Sequence, residues 1–320
     1  MRKTSQIPQA SSNEASDLWS HWLLNTRHAG DSGHAAQIQK QLNGMRDRVL
    51  AGARLVPAMT LVDVGAGDGL IALGALEQFA GRLKVVITDI SAPLLGEAQA
   101  AAMRLGFQHS CQFIQTPAET LTGIPDDTAD ALTTRAALAY VPDKIAAARQ
   151  FFRVLKPEGR LSICEPIFQD AAAKLAALGL ALQNLPNSPA TNLARLTHRC
   201  RTAQIPSTAA EIQKHPLTNF TERDLVALFQ MAGFIEIHME LHIDLNYGVP
   251  MNWPTFLHQS PFPGALSLFE AMTATLNREE QQQLEAHLRP KVESGQVTTR
   301  ECVAYLTALK PSEAKHHGAP

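Results

Sequence analysis

No apolar run in this sequence approaches the roughly 20 residues that a membrane-spanning helix needs, and neither sign of charge is in excess. The 28 lysines and arginines stand against 30 aspartates and glutamates, leaving a formal net charge of −2 over 320 residues, with a pI near 6.6. That balance, with the basic residues scattered, removes the electrostatic footprint of a nucleic-acid protein and of one that docks on an anionic membrane. No Asn/Asp-Pro-Pro-Tyr motif for exocyclic amines occurs either. Residues 1–16, MRKTSQIPQASSNEAS, carry two basic residues but no apolar core, so they read as a disordered tail rather than a secretory signal. The end of the chain, 311–320, reads as a second tail, and a cytoplasmic protein is expected. Cysteine is scarce: Cys111, Cys164, Cys200 and Cys302 lie more than thirty residues apart, with no CxxC, and the twelve histidines form no HExxH. No metal site is expected, and the thiols read as buried and free.

What is present is a regular alternation of short apolar runs and amphipathic stretches. Leu42, Met45, Val49, Leu50 and Ala53 share one face of a helix that Pro57 stops. MTLVDV, LKVVITDI, CQFIQ, ADALTTR and RLSICEP then read as five buried strands, with helices between most of them. Gly106 closes the helix APLLGEAQAAAMRLG, and KPEG reads as the turn that stops DKIAAARQFFRVL. FTERDLVALFQMAG is a helix capped by Thr221 with Asp224, followed by the strand FIEIHMELHIDL; TRECVAYLTALK is a last strand. Buried strands alternating with helices mean a mostly parallel, doubly wound sheet. The expected organisation is a helical lid over 17–56, a core over 57–169, a helical insertion over 170–218, core again over 219–245, a second insertion over 246–297, and a final core strand over 298–310.

The stretch LVDVGAGDGL sets Gly65, Gly67 and Gly69 two residues apart behind a strand that carries Asp63. A dinucleotide turn needs G-x-G-x-x-G and a Walker loop needs GK[ST]; neither is met. A tight βα connection is the plain alternative. Asp63 beside the turn would repel a phosphate and suit a cation, which points to a nucleoside ligand bearing ammonium and sulfonium groups, its carboxylate toward the following helix N-terminus. Asp89, ending the second strand, can accept two ribose hydroxyls.

LVDVGAGDGL, ITDIS and VLKPEGRLSICEPI together resemble the class I S-adenosylmethionine-dependent methyltransferases, nearest the small-molecule branch that includes the quinone-type enzymes. The resemblance covers 59–166 well and 220–243 loosely. It implies an α/β, Rossmann-like, doubly wound, mostly parallel seven-stranded sheet, with the helical insertions forming a substrate cap. It implies S-adenosyl-L-methionine as cofactor, with Asp63, Gly65, Ala66, Gly67 and Gly69 at the methionine end, Asp89 on the ribose and Ile90 against the adenine. The family often has Asp-Ala after the third strand. Here Pro117 precedes Ala118, so the Ala118 amide or Glu119 must substitute. Thr134, Arg135 and Ala136 fall where the family cups the sulfonium.

Methyl transfer is driven by the cofactor, so a base is optional and the acceptor side has no obligatory motif. Candidate catalytic residues are His28, Tyr140 and Glu165; packing, or a solvated strand end for Glu165, is the plainer role. Candidate substrate contacts are Trp19, Trp22 and Arg27, where an aromatic helical face is either packing or lid, together with His198 and Trp253 from the insertions. Arg27 is expected to reach the cofactor carboxylate and His28 to relay a proton. The expected partner is a small, partly apolar acceptor; a homodimer is also allowed for. Two alternatives stay open: a non-catalytic binding protein on a degenerate fold, and metalloid methylation through Cys164 and Cys200.

Overall fold

The computed structural model describes residues 18–312; most of both expected tails, 1–16 and 311–320, therefore lies outside the described residues. In chain order, a short helix α1 (residues 18–26) is followed by α2 (Ser32–Ala53), β1 (Thr60–Val64), α3 (Leu70–Gln78), β2 (Lys84–Asp89), α4 (Ala92–Leu105), β3 (Cys111–Gln115), β4 (Ala129–Arg135), α5 (Lys144–Val154) and β5 (Leu155–Pro166). Then come α6 (Phe168–Gln183), α7 (Pro189–Gln204), α8 (Ala209–Lys214), α9 (Glu222–Met231), β6 (Ile235–Tyr247), α10 (Trp253–His258), α11 (Leu268–Thr275), α12 (Arg278–Glu293) and β7 (Thr298–Leu309). Among the described residues no helix is long and apolar enough to cross a membrane.

The strands form one seven-stranded sheet in the order β3-β2-β1-β4-β5-β7-β6. The first five run parallel, and β7 enters antiparallel between β5 and β6. Successive strand residues bury to opposite faces. Leu61, Val85 and Ile87 pack with Val49, Leu50, Ile71, Ala72 and Ala98 from α2, α3 and α4. Val62, Val64, Val86 and Leu132 pack on the other face with Phe151 of α5 and Phe229 of α9. Connections from β1 lead outward to β2 and β3, then the chain crosses back to place β4 on the far side of β1. The carboxyl ends of β1 and β4 thus part at a switch point, where open α/β sheets hold ligands.

Local chemistry sets the helix limits. Ser91 Oγ accepts the Leu94 N–H at 3.3 Å to start α4, and Gly106 at φ +78° ends it. Thr221 and Asp224 form a reciprocal capping box on α9. KPEG departs from its expectation. The helix already ends at Leu155, which is extended, and KPEG runs on inside β5 as a bulge, shifting the β4–β5 register between Ala129 and Ala131. Glu158 takes up φ +65°, and its N–H bonds Lys310 O at 2.9 Å.

Within 17–56, α2 corrects the idea of a lid. Val49, Leu50 and Ala53 are buried against the sheet, because its apolar stripe is wide enough to serve as covering layer; among the described residues of this span, 18–31 lie before that helix. The two insertions touch each other through Leu196 and Cys200 of α7, Ala271 and Met272 of α11, and Leu284 of α12.

Candidate functional site

The glycine turn joins β1 to α3 at the switch point. Gly65, Gly67 and Gly69 take φ values of +63°, +59° and +92°. At Gly65 a Cβ would fall onto the Ala137 Cβ, so this position admits no side chain. Gly67 turns its N–H onto Asp89 Oδ2 at 2.8 Å, while Ser91 N–H donates to Asp89 Oδ1 at 2.8 Å. Each oxygen of Asp89 keeps a further lone pair. Asp63 Oδ1 accepts from Thr133 Oγ1 at 2.8 Å and Oδ2 from the Ala72 N–H at 3.2 Å, satisfying an open donor in the first turn of α3. Gly69 stands apart from these. It is the N-cap of α3, a side chain there would press on Leu73 and Ala98, and it does not line the cleft; its glycine serves helix packing.

A cleft of about 280 Å³ opens above this turn, lined by Asp63, Gly65, Ala66, Gly67, Asp68, Asp89 and Ile90. Beyond Ile90 its wall is Thr116, Pro117, Ala118 and Glu119, so the chain still reaches the cleft where the family's aspartate is missing. Arg135, Ala136 and Ala137 close the side beside β4. Over the top lie Trp19, Trp22, Leu23 and Arg27 from α1 and its exit. The second half of α1, Trp22–Thr26, has the wide π pitch, with Arg27 N–H bonded to Trp22 O. It is fastened from outside: Trp22 Nε1 donates to Ser260 O at 3.0 Å, and Ser260 N–H to Thr26 O at 2.9 Å. Trp19 meets Tyr140 edge-on with ring centroids 4.9 Å apart.

Burial sets the electrostatics. It pushes the Asp63 carboxyl up to about 7, against the Thr133 and Ala72 bonds and the Arg135 charge. It raises Asp89 too, opposed by the Ser91 and Gly67 amides. Burial, then the neighbouring Glu165, pushes the Tyr140 hydroxyl well above its ordinary range.

Like Gly69, the expected site residues Glu165, His28, His198 and Trp253 lie outside the cleft lining. Glu165 is fully buried and does not line the cleft: Oε1 accepts the Ala137 and Leu138 N–H groups at 3.2 Å, and Oε2 accepts Ala139 N–H at 3.0 Å. Its carboxylate positions the loop that Gly65 presses against. His28 is outside the lining, with Nδ1 buried and unpartnered. His198 Nε2 lies 3.1 Å from Leu175 O and fills the space over Gly179, joining α7 to α6. Trp253 is buried and stacked on Phe256. Cys164 is buried outside the cleft, its thiol pushed up to about 12 by burial, so no thiolate stands there for a metalloid. Asp68, Thr116, Val141, Pro142 and Pro263 line the cleft without having been singled out. Of these, Asp68 had a readable signal, since it lies inside the glycine turn.

Glu165 yields a pH prediction. Burial pushes it up to about 7, against the pull of the three amides. The folded protein therefore binds a proton there that the unfolded chain releases near its ordinary 4.5, and the associated stability is full below about 4.5 and lost as pH rises through about 7. Glu165→Gln removes that term and leaves one amide N–H poorly met, costing about 1–3 kcal/mol. In thermal melts, the gap between native protein and variant is expected to be widest at or below about pH 4.5 and to narrow as pH rises through about 7. A gap constant with pH would contradict the assignment.

The family model described as a methyltransferase domain matches residues 55–227. The chain belongs to that family. It is 28% identical over 195 residues to nocamycin O-methyltransferase of Saccharothrix syringae, covering 61% of this chain and 65% of the relative. It is 36% identical over 112 residues to the ubiquinone/menaquinone biosynthesis C-methyltransferase UbiE of Cronobacter sakazakii, covering 34% of this chain and 44% of that protein. The chain thus spans less than two thirds of the length of these curated relatives. Among solved structures it is similar to the 4+2 cyclase SpnF, with a TM-score of 0.55, 19% identity, and coverage of 96% of this chain and 99% of that one. The class I methyltransferase resemblance read from the motifs holds at the level of family and fold.

Proposed function

We propose that this methyltransferase-family chain carries a methyl group from S-adenosylmethionine to a small-molecule acceptor within the cleft. The observation that carries the reading is the Asp89 carboxylate, which lines the cleft and is held by the Gly67 and Ser91 amides at 2.8 Å. A pair of vicinal ribose hydroxyls matches that arrangement. Asp63 and the Gly65–Gly67 backbone would hold the methionine end, and Ile90, Thr116, Ala118 and Glu119 the adenine. When bound, the sulfonium supplies an electrophilic methyl group; this chain supplies orientation and a dry enclosure.

The acceptor would lie where Trp19, Tyr140, Val141, Pro142 and Pro263 line the cleft. Residues 18–31, with the helices of 170–218 and 246–297, are the cap in this reading, and 57–169, 219–245 and 298–310 the core. The relatives' names, an O-methyltransferase and a quinone C-methyltransferase, support a small-molecule acceptor. The test is transfer of labelled methyl from S-adenosylmethionine into a metabolite extract. Label in a low-molecular-weight product supports the reading; cofactor binding with no labelled product would reduce the protein to a binding module.

A further inference from the structure

β6 is the outer strand of the sheet, beyond β7, and runs for 13 residues, IEIHMELHIDLNY. Among the described residues no backbone bond joins it to any element but β7. An open strand edge of this length is a template for a further strand. The common guards of such an edge are missing: neither Lys nor Pro occurs between Ile235 and Tyr247. The bulge at Glu236, with φ +49°, blunts only its beginning.

Successive side chains of the strand point to opposite faces. On one face Ile237, Met239 and Leu241 pack on the core. Ile243, Leu245 and Tyr247 continue that row past it and are 43%, 63% and 78% exposed. The other face carries Glu236, His238, Glu240, His242 and Asp244 in turn. Glu240 pairs with Arg48 of α2, and the Nε2 atoms of His238 and His242 stand 3.5 and 3.6 Å from its two carboxylate oxygens. Asp244 has no ion pair among the described residues. Its opposite number on β7 is Glu301, and like charges directly opposite each other are destabilising. The strand therefore offers an open backbone edge, an uncovered apolar row and an acid that lacks a cation.

We propose that β6 pairs antiparallel with β6 of a second copy of this chain, about a two-fold axis at Leu241, joining two sheets into one. The charge pattern selects both the occupant and the register. In a two-fold pairing, residues equally far on either side of the central one oppose each other. Centring on Glu240 or His242 sets acid against acid and ring against ring. Centring on Met239 would use Glu236, which the bulge removes, and centring on Ile243 opposes Glu240 to Asn246. Centring on Leu241 sets Glu240 against His242 of the partner subunit, and Asp244 against His238 of the partner subunit, each pair made twice by symmetry. A histidine N–H donates to a carboxylate whether the ring is neutral or charged. On the other face the same register lays Ile243 beside Met239 of the partner subunit and Leu245 beside Ile237 of the partner subunit, extending the apolar row. The pairing is independent of what the cleft holds.

Sedimentation of the full chain over roughly 1–200 µM tests it, since interfaces of micromolar strength dissociate within that range. The native protein is expected to form a species of twice the 34.8 kDa of one chain. Asp244→Lys should raise the dimer Kd at least about tenfold, because Lys then faces His238 of the partner subunit. Adding His238→Asp restores an opposite-charge pair in this register, and the Kd should return to within about threefold of native. Leu245→Lys, on the apolar face, should raise it at least about tenfold as well. All these positions are exposed, and a thermal melt checks that each variant stays folded. A native chain that is monomeric throughout would overturn the inference, whether its β6 amides exchange freely or are held by another part of the same chain. A dimer indifferent to Asp244→Lys and Leu245→Lys would place the interface elsewhere. Weakening by Asp244→Lys that His238→Asp fails to restore would overturn the register.

Discussion

Gly67→Val abolishes S-adenosylhomocysteine binding, by about 100-fold or more, and leaves a folded protein. Gly67 sits at φ +59°, where a β-branched residue costs about 1–3 kcal/mol. Within the protein there is room for a side chain: the nearest atom to a Cβ at this position is Leu23 Cδ1 of the roof, 3.7 Å away. The branches would therefore stand in the cleft, in the space the ligand needs, and would disturb the N–H that Gly67 gives to Asp89. A loss of about 2.7 kcal/mol in binding corresponds to the hundredfold. The melting temperature is expected to fall by only a few degrees, because the core clusters are untouched. Gly65 is the contrast, since its Cβ would collide with Ala137 and the damage would be to the fold. Calorimetry together with a thermal melt of Gly67→Val separates the two effects; normal binding in the variant would place the cofactor elsewhere.

Removing residues 1–27 is the second large effect, with kcat/KM falling about 100-fold or more and stability nearly kept. The cut takes away Trp19, Trp22, Leu23 and Arg27, which line the cleft, and opens it to water that a reacting sulfonium must avoid. It spares Asp31, which caps α2 through the His34 N–H and accepts from Asn252 and Thr255. A cut through residue 34 would remove that cap and confuse loss of lid with loss of packing. Steady-state kinetics beside a melt decide the matter. Retained turnover would make α1 a packing element and move the acceptor toward the second insertion.

The roof was legible because Trp19, Trp22 and Leu23 recur at three- and four-residue spacing, which puts them on one helical face. The strands β3 and β4 coincide with the stretches CQFIQ and ADALTTR read from the sequence, although β3 buries none of its residues and so is not the buried strand expected. Asp63 and Asp89 were legible because Asp63 lies one residue before the end of a buried strand and Asp89 ends the next, beside the glycine turn, where a buried carboxylate needs a stated partner. Glu165 was not. Its position at a strand end is the same whether it faces a ligand or the loop 137–139, and those amides are 26 to 28 residues away in sequence. His198 and Trp253 were misplaced for a like reason: a ring on an amphipathic helix carries no mark of which helix it will meet. Pro263 reaches the cleft only through the tertiary course of the second insertion, which has no periodic pattern to announce it. KPEG was read as a turn because Pro and Gly punctuate helices and strands alike, and the register of β4 with β5 decides between a turn and a bulge.

The proposed site stands on the Asp89 carboxylate holding the ribose of S-adenosylmethionine. Titration of S-adenosylhomocysteine into the native protein and into Asp89→Ala, side by side in a calorimeter, tests it most directly. Saturable binding is expected for the native chain, with a loss of about 2–3 kcal/mol in the variant, or roughly 30- to 150-fold in affinity. Equal affinity in the two proteins would contradict it.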